Sequence, residues 1–297
     1  MAASRAAATD DVPRIIDLLV ACEAAGHVDM ELRSTELRMT LGNPAFDIAR
    51  YTLLVEDDGR LLAFALLWQG RYLGMLVHPA ARGALEDRII DWAEAAVRDD
   101  DAASLVALCR SDDALSRATY ERRGYVLGEE ELRMGRPLDA PAPAPSFPPG
   151  FTLRALDARR ELDEWLALYA DAFGPLESAL RKWRAFRDDS DYDPALDLVV
   201  ADTAGWLAAV CTCSIARAEL AAIRPREGRT EPVMVRERYR GIGLGRAVVL
   251  AGLTALRERG IELATLTTEA DNAVAQRLYG SLGYRLLYTA CWHERAV

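Results

Sequence analysis

The sequence predicts a mixed α/β protein built from two similar halves, and three observations predict it. Short apolar runs with strand character alternate with amphipathic helical runs along the whole chain. A proline-dense stretch near the midpoint interrupts that alternation, after which it restarts. Segments of the two halves also match at a nearly constant offset: Val77 to Arg82 matches Val235 to Arg240 at 158, and Tyr120 to Tyr125 matches Tyr279 to Tyr284 at 159. The 297 residues suffice for two domains, each with its own core.

The first half opens on a helix from Asp11 to Val20, with acids in its first turn and apolar residues at helical spacing. Arg50–Val55 reads as a strand, Asp57-Asp58-Gly59 as a hairpin turn and Leu61–Trp68 as the return strand. Tyr72–Val77 is a further strand. A helix follows with Leu85, Ile89, Trp92, Ala93 and Ala96 on one face, then a strand from Ser104 to Leu108, a helix from Ala114 to Arg123 stopped by Gly124, and a strand from Tyr125. Proline removes backbone donors and enforces extended conformation, so residues 138–149 read as a stiff Pro/Ala-rich linker between domains at 1–137 and 150–297.

In the second half, Phe151–Arg154 is a strand, and Glu161–Phe173 a helix with Leu162, Trp165, Leu166, Tyr169 and Phe173 on one face. Leu176–Arg187 predicts another helix. Leu196–Val200 and Trp206–Ile215 form a hairpin, and Arg224–Arg229 reads as a solvated charged loop. Glu231–Val235 is a strand, Ala247–Arg259 a helix stopped by Gly260, and Leu263–Thr267 a strand.

Composition removes several function classes. The chain carries 36 basic and 46 acidic side chains, a net charge of −10, which argues against nucleic acid as its partner. No apolar run reaches membrane length and no signal-peptide core opens the chain, so the expectation is a cytoplasmic protein without a membrane partner. The five cysteines (Cys22, Cys109, Cys211, Cys213, Cys291) are too scattered for a disulfide framework. His27, His78 and His293 have no ligand spacing, so no metal is expected. No Gly-x-Ser-x-Gly elbow supports a serine hydrolase, and Cys211 and Cys213, two apart in a strand, read as small core residues rather than acyl acceptors.

The stretch that carries chemistry is Arg240-Gly241-Ile242-Gly243-Leu244-Gly245-Arg246, between a strand and a helix. A glycine-rich turn opening a helix presents unpaired N–H groups at the positive end of the helix dipole, a site for phosphate or pyrophosphate. The glycines recur at every second position, which fails the dinucleotide fingerprint, and Arg246-Ala247 fails the Walker pattern.

Together with Asn272-x-x-Ala275 and Tyr279-x-x-x-Gly283-Tyr284 downstream, Arg240-x-x-Gly243-x-Gly245 resembles the acyl-CoA-binding half of the GCN5-related N-acetyltransferase (GNAT) superfamily. The resemblance is close over about the last 70 residues and holds elsewhere by pattern, which makes the fold two GNAT-like domains in tandem. It implies acetyl-CoA as acyl donor, with the pantetheine arm on the backbone of Val233, Met234 and Val235 and the pyrophosphate on the turn Arg240, Gly241, Ile242, Gly243, Leu244, Gly245 and Arg246. It further implies pantetheine contacts at Asn272 and Ala275, with Tyr279 as the acid that protonates the leaving thiolate. Read as plain structure, Asn272 is a helix cap and Tyr279 a half-buried core residue.

Glu231 is the candidate general base, where the plainer reading is an edge-strand glutamate in solvent. Glu269 and the carboxylate of Val297 stand behind it, and Thr267 replaces the glutamate of some relatives. His293 reads as a terminal-strand residue. The first half departs from the pattern where Leu85, Glu86 and Asp87 stand for Gly243, Leu244 and Gly245, and Asp113 for Asn272. Carboxylates there would repel a pyrophosphate, so that half is expected to keep the fold and lose the ligand.

The implied function is direct acetyl transfer to a primary amine of a small molecule or peptide, and tandem members of the superfamily include some whose acceptor is a cysteinyl pseudo-disaccharide amine. A non-catalytic acyl-CoA sensor is the alternative, and a homodimer stays open.

Overall fold

The computed structural model describes residues 2–26, 34–100, 103–174, 192–215 and 226–297, with positions 180, 184 and 187. Most of the helix expected over 176–187, and residues 224 and 225 of the expected loop, lie outside the described residues. The chain divides into two compact units, Met1–Leu132 with Tyr288–Val297, and Arg133–Leu287. A split at the proline-rich segment does not anticipate that the last ten residues join the first unit.

In the first unit, β1 (Ala3–Arg5), β2 (Thr52–Asp57), β3 (Arg60–Trp68) and β4 (Tyr72–Val77) are successive antiparallel neighbours. β4 then pairs parallel with β5 (Ser104–Arg110). The C-terminal strand β12 (Arg285–Ala296) pairs antiparallel with β5 from Ala290↔Arg110 to Ala296↔Ser104. Strand β6 (Val126–Pro137) begins in this unit and ends in the other.

Both faces of the first unit's strands are covered, and for that reason β3 reads as an unbroken apolar run. Helix α1 (Val12–Ala24) buries Val12, Ile15, Ile16, Leu18, Leu19 and Cys22 against Leu54, Phe64, Leu66 and Leu76. On the opposite face, α4 (Glu86–Asp99) buries Ile89, Ile90, Ala93 and Val97 against Val55, Ala63, Ala65 and Ala107. The short helices α2 (Ser34–Gly42) and α3 (Ile48–Tyr51) precede β2, and α5 (Ala114–Arg122) follows β5.

The second unit repeats the plan. β7 (Phe151–Ala155), β8 (Asp197–Asp202), β9 (Leu207–Ile215) and β10 (Glu227–Val235) are successive antiparallel neighbours, and β10 pairs parallel with β11 (Leu263–Glu269). Helix α6 (Leu162–Phe173) lays Trp165 and Leu168 on Val199, Leu207, Val210 and Met234. The other face takes α7 (Leu244–Glu258), ended by Gly260 at φ 71° as the sequence predicts. Gly252 brings α7 close to the sheet: a Cβ there would lie 2.8 Å from Cys213 Sγ and 3.0 Å from Cys211 Sγ. Those two cysteines are buried and free on one face of β9, as their spacing predicts.

β10 begins earlier than expected, because Glu227–Arg229 are strand rather than loop. Glu227 is buried on Arg133, and Gly228 packs where a Cβ would meet Leu256 at 2.7 Å. A charged side chain enters a strand when a buried partner of opposite sign awaits it, and nothing local in the sequence announces that partner.

Candidate active site

The site starts from a defect in pairing. β10 and β11 are in parallel register only over Glu227↔Leu263, Gly228↔Ala264 and Arg229↔Thr265, although both strands run on to Val235 and Glu269. On its other side, β10 stays with β9, shifting register between Thr230 and Val233 and continuing through Val233↔Cys211, Met234↔Val210 and Val235↔Ala209. The N–H of Arg236 donates to Ala208 O at 2.9 Å. Antiparallel strands alternate bonded and non-bonded residues, so Met234 also faces β9, while the N–H groups of Val233 and Val235 face the widening gap. Arg240 Nε donates to the Val235 carbonyl at 3.1 Å, and its Nη2 donates to Asp171 O at 3.2 Å. Arg240 thus braces the strand end.

The turn closes the far end of that gap. Gly241 (φ 82°) and Gly243 (φ 94°) are left-handed, and a Cβ on either would meet nothing within 4 Å. Backbone conformation and open space, rather than crowding, set glycine at these two positions. Gly245 is different, because a Cβ there would lie 3.3 Å from Val235 Cγ2 and 3.6 Å from Leu278 Cδ2. Gly243 caps α7 with no side-chain hydrogen bond, so the first N–H groups of the helix point into open space with the dipole behind them. Leu244 anchors the turn from below, Ile242 is exposed, and Arg246 Nη1 donates to Ser281 Oγ at 2.8 Å.

Asn272 caps α8 (Ala273–Ser281): its Oδ1 accepts from the Ala275 N–H at 3.0 Å, and its exposed side chain keeps the amide NH2. Two turns on, Tyr279 is buried, its ring against Tyr284 at 5.8 Å. Among the described residues its hydroxyl makes no hydrogen bond. Burial first, and then the nearby Cys211 and Glu231, push its ionisation well above the ordinary phenol range. The hydroxyl therefore keeps its proton at neutral pH.

Glu231 is not a solvent-facing edge residue. Its Oε2 accepts from the Thr267 N–H at 2.7 Å, across the gap from β10 to β11. Its Oε1 lies 3.6 Å from Arg133 Nη1 and 3.4 Å from Arg229 Nη1. Neither arginine was singled out by sequence. Arg133 lies nearly a hundred positions upstream, and no local pattern links it to β10. Of the other base candidates, Glu269 is exposed at the end of β11, and Val297 belongs to the first unit, as does the terminal-strand residue His293. There His293 is buried, its Nδ1 3.2 Å from Cys291 O. Among the described residues no group of His, Cys, Asp and Glu side chains could hold a metal ion.

The corresponding turn of the first unit is filled by its own chain. Glu86 Oε2 accepts from the N–H groups of Gly83 at 2.8 Å and Leu85 at 3.3 Å, and the side chain is buried. Arg82 Nη2 donates to both oxygens of Asp113, at 2.7 and 2.6 Å. Asp87 does not point into the turn as expected but pairs with Arg122 and Arg123. Tyr120, the counterpart of Tyr279, is fully buried and its hydroxyl donates to Leu108 O at 3.4 Å. The motif Gly83-x-x-Glu86 was a readable signal for a side chain folding back on the turn.

The second unit thus sets an open glycine turn at a helix N-terminus beside a parallel strand pair that separates beyond Arg229. The profile of the Acetyltransferase (GNAT) family matches residues 162–284. The mycothiol acetyltransferase of Thermobispora bispora is 32% identical over 281 residues, covering 92% of each chain. That of Salinispora arenicola is 31% identical over 285 residues, covering 92% of this chain and 91% of its own. A GCN5-related N-acetyltransferase from Sphaerobacter thermophilus superposes with a TM-score of 0.78 at 25% identity, covering 99% of this chain and 95% of that one. A tandem GNAT protein from the clavulanic acid biosynthesis pathway shares the fold, with a TM-score of 0.79 at 17% identity and coverage of 100% and 98%. The chain belongs to the GNAT family and is an N-acetyltransferase of tandem architecture. Among the described residues no helix is long and apolar enough to cross a membrane.

Proposed function

We propose that the second unit binds acetyl-CoA and transfers its acetyl group directly to the primary amine of a cysteinyl pseudo-disaccharide, the acceptor class suggested by the mycothiol acetyltransferases that the chain resembles over 92% of its length. The observation that carries this reading is the pair of turns: open N–H groups ahead of α7 in the second unit, and the same place occupied by Glu86 in the first.

The diphosphate sits on the N–H groups from Gly241 to Arg246, as an anion does at a helix N-terminus. The pantetheine arm completes the pairing that β10 lacks beyond Arg229, through the backbone of Val233 to Val235, with further contact at Asn272 and Ala275. This places the thioester carbonyl at the Val235 N–H, which stabilises the oxyanion as charge develops there.

Glu231 takes a proton from the acceptor ammonium through Oε1, directly or through one water. The free amine attacks the carbonyl carbon, the tetrahedral intermediate collapses, and the carbon–sulfur bond breaks. Tyr279 gives its proton to the departing thiolate and is reprotonated as the nitrogen loses its remaining extra proton, and Glu231 returns its proton to solvent. No metal is needed in any step.

Calorimetric titration of acetyl-CoA tests the binding half, with one site expected in the wild type and none in a Gly243→Glu, Gly245→Asp variant. Mass detection of acetylated cysteinyl pseudo-disaccharide amine tests the chemistry. Binding without acetylation of that amine would remove the acceptor assignment and leave the donor site standing.

A further inference from the structure

We infer that Arg133 is the positioning residue for the general base, orienting the free oxygen of Glu231 toward the acceptor amine; this rests on the assignment of Glu231 proposed above. Arg133 reaches the site from β6, outside the segment 162–284 that matches the family profile. Its side chain is 6% exposed, and each end of its guanidinium has a separate task.

Nη2 donates to Glu227 Oε1 at 2.5 Å and to Thr265 Oγ1 at 2.9 Å, and Thr265 in turn donates to the same Glu227 oxygen at 2.6 Å. That closed ring of three side chains sets the guanidinium plane, which is rigid. The other end, Nη1, is thereby presented to Thr267 Oγ1 at 3.2 Å and to Glu231 Oε1 at 3.6 Å.

The two oxygens of Glu231 are not equivalent. Oε2 is consumed by the Thr267 N–H at 2.7 Å. Oε1 lies at ion-pair distance from Arg133 and Arg229 but accepts no hydrogen bond among the described residues, so its lone pairs remain for a water or an amine. A base needs both a free lone pair and a fixed direction, and displacement by about 1 Å costs on the order of a hundredfold in rate. The Thr267 N–H fixes one oxygen and Arg133 sets the swing of the other. Among the described residues, Arg133 pairs with Glu227 and Glu231, and Arg229 with Glu231.

The test is a double-mutant cycle of Arg133→Met and Glu231→Gln in the full chain, reading kcat, the KM of acetyl-CoA and the calorimetric acetyl-CoA affinity. Arg133→Met should lower kcat about tenfold to a hundredfold with the acetyl-CoA affinity within about threefold of wild type, and should cost nothing further once Glu231 is Gln. Arg133→Lys, which keeps the charge and loses the fork, should recover only part of the rate. Arg133→Met/Glu227→Gln removes both members of the buried pair and reads the same effect if the single variant fails to fold. Multiplicative losses in the double variant, or a wild-type kcat in Arg133→Met or Arg133→Met/Glu227→Gln, overturn the role of Arg133. Wild-type kcat in Glu231→Gln removes the base, and the inference with it.

Discussion

Gly83 and Gly241 open equivalent turns at the same left-handed φ of 82°, and two residues later the turns part. In the second unit Gly243 continues at φ 94°, which leaves the first N–H groups of α7 facing open space. In the first unit Leu85 stands at that position at φ −114°, and the next residue, Glu86, folds its carboxylate onto the N–H groups of Gly83 and Leu85. A helix N-terminus attracts an anion in either case. Where the chain supplies its own carboxylate, the backbone donors are satisfied internally and the turn becomes a structural cap. Where glycines withhold any side chain, the donors stay available to a ligand. The partners follow suit, since Asp113 holds Arg82 in the first unit, while the neutral Asn272 caps α8 and leaves Arg240 to the strand end.

The largest test of that contrast puts carboxylates into the open turn. Gly243→Glu, Gly245→Asp should abolish acetyl-CoA binding, a loss of at least a hundredfold by calorimetry, with the circular dichroism spectrum unchanged. A retained site would break the comparison outright. Tyr279→Phe tests the second difference, since the hydroxyl of Tyr120 is spent on a carbonyl and that of Tyr279 is not. Its kcat should fall by about a hundredfold to ten-thousandfold, with little change in acetyl-CoA affinity. Because the phenol of Tyr279 is shifted upward by burial, the wild-type kcat profile should show no descending limb from this residue below pH 10.

Smaller effects lie in the first unit. Glu86→Leu leaves the Gly83 and Leu85 N–H groups without their acceptor and should destabilise the protein by about 1–3 kcal/mol in urea unfolding. It should not create a second acetyl-CoA site, because Leu85 cannot take the conformation of Gly243 at little cost. A second site in calorimetry would sharpen the contrast to the single residue Glu86.

Burial would raise the Asp113 carboxyl, but the hydrogen bonds from Arg82 and Ser116 outweigh it and hold the group below its ordinary value of 3.8. Its stabilising contribution is therefore present above about pH 4 and lost as the pH falls through the lower folded value. An Asp113→Asn variant should show a weaker acid dependence of its melting temperature than the wild type. The smallest effect is Asn272→Ala, where loss of the cap should cost about 1 kcal/mol.

Much of this molecule was legible in its residues. The alternation of apolar periods placed elements such as β3, β4 and α4 in the first half and α6, β9 and α7 in the second, because burial of one face or stripe is a local constraint. Gly241, Gly243 and Gly260 announced their turns, since left-handed backbone is costly for other residues. The substitution of Leu85-Glu86 for Gly243-Leu244 signalled that the two turns differ. The filling of the first turn by Glu86, and the diversion of Asp87 to Arg122 and Arg123, depended on which neighbours came within reach.

The sequence by itself determined the mixed α/β class, the duplication and the open glycine turn, all of which arise from contacts between near neighbours in the chain. Only the tertiary structure decided that β12 closes against β5 in the first unit and that Glu227 belongs to a buried strand. It also decided that Glu231 meets Thr267, Arg229 and Arg133 at the mouth of the split strands. Those partners are distant in the chain, and the free energy that joins them exists only once the sheet has brought them together.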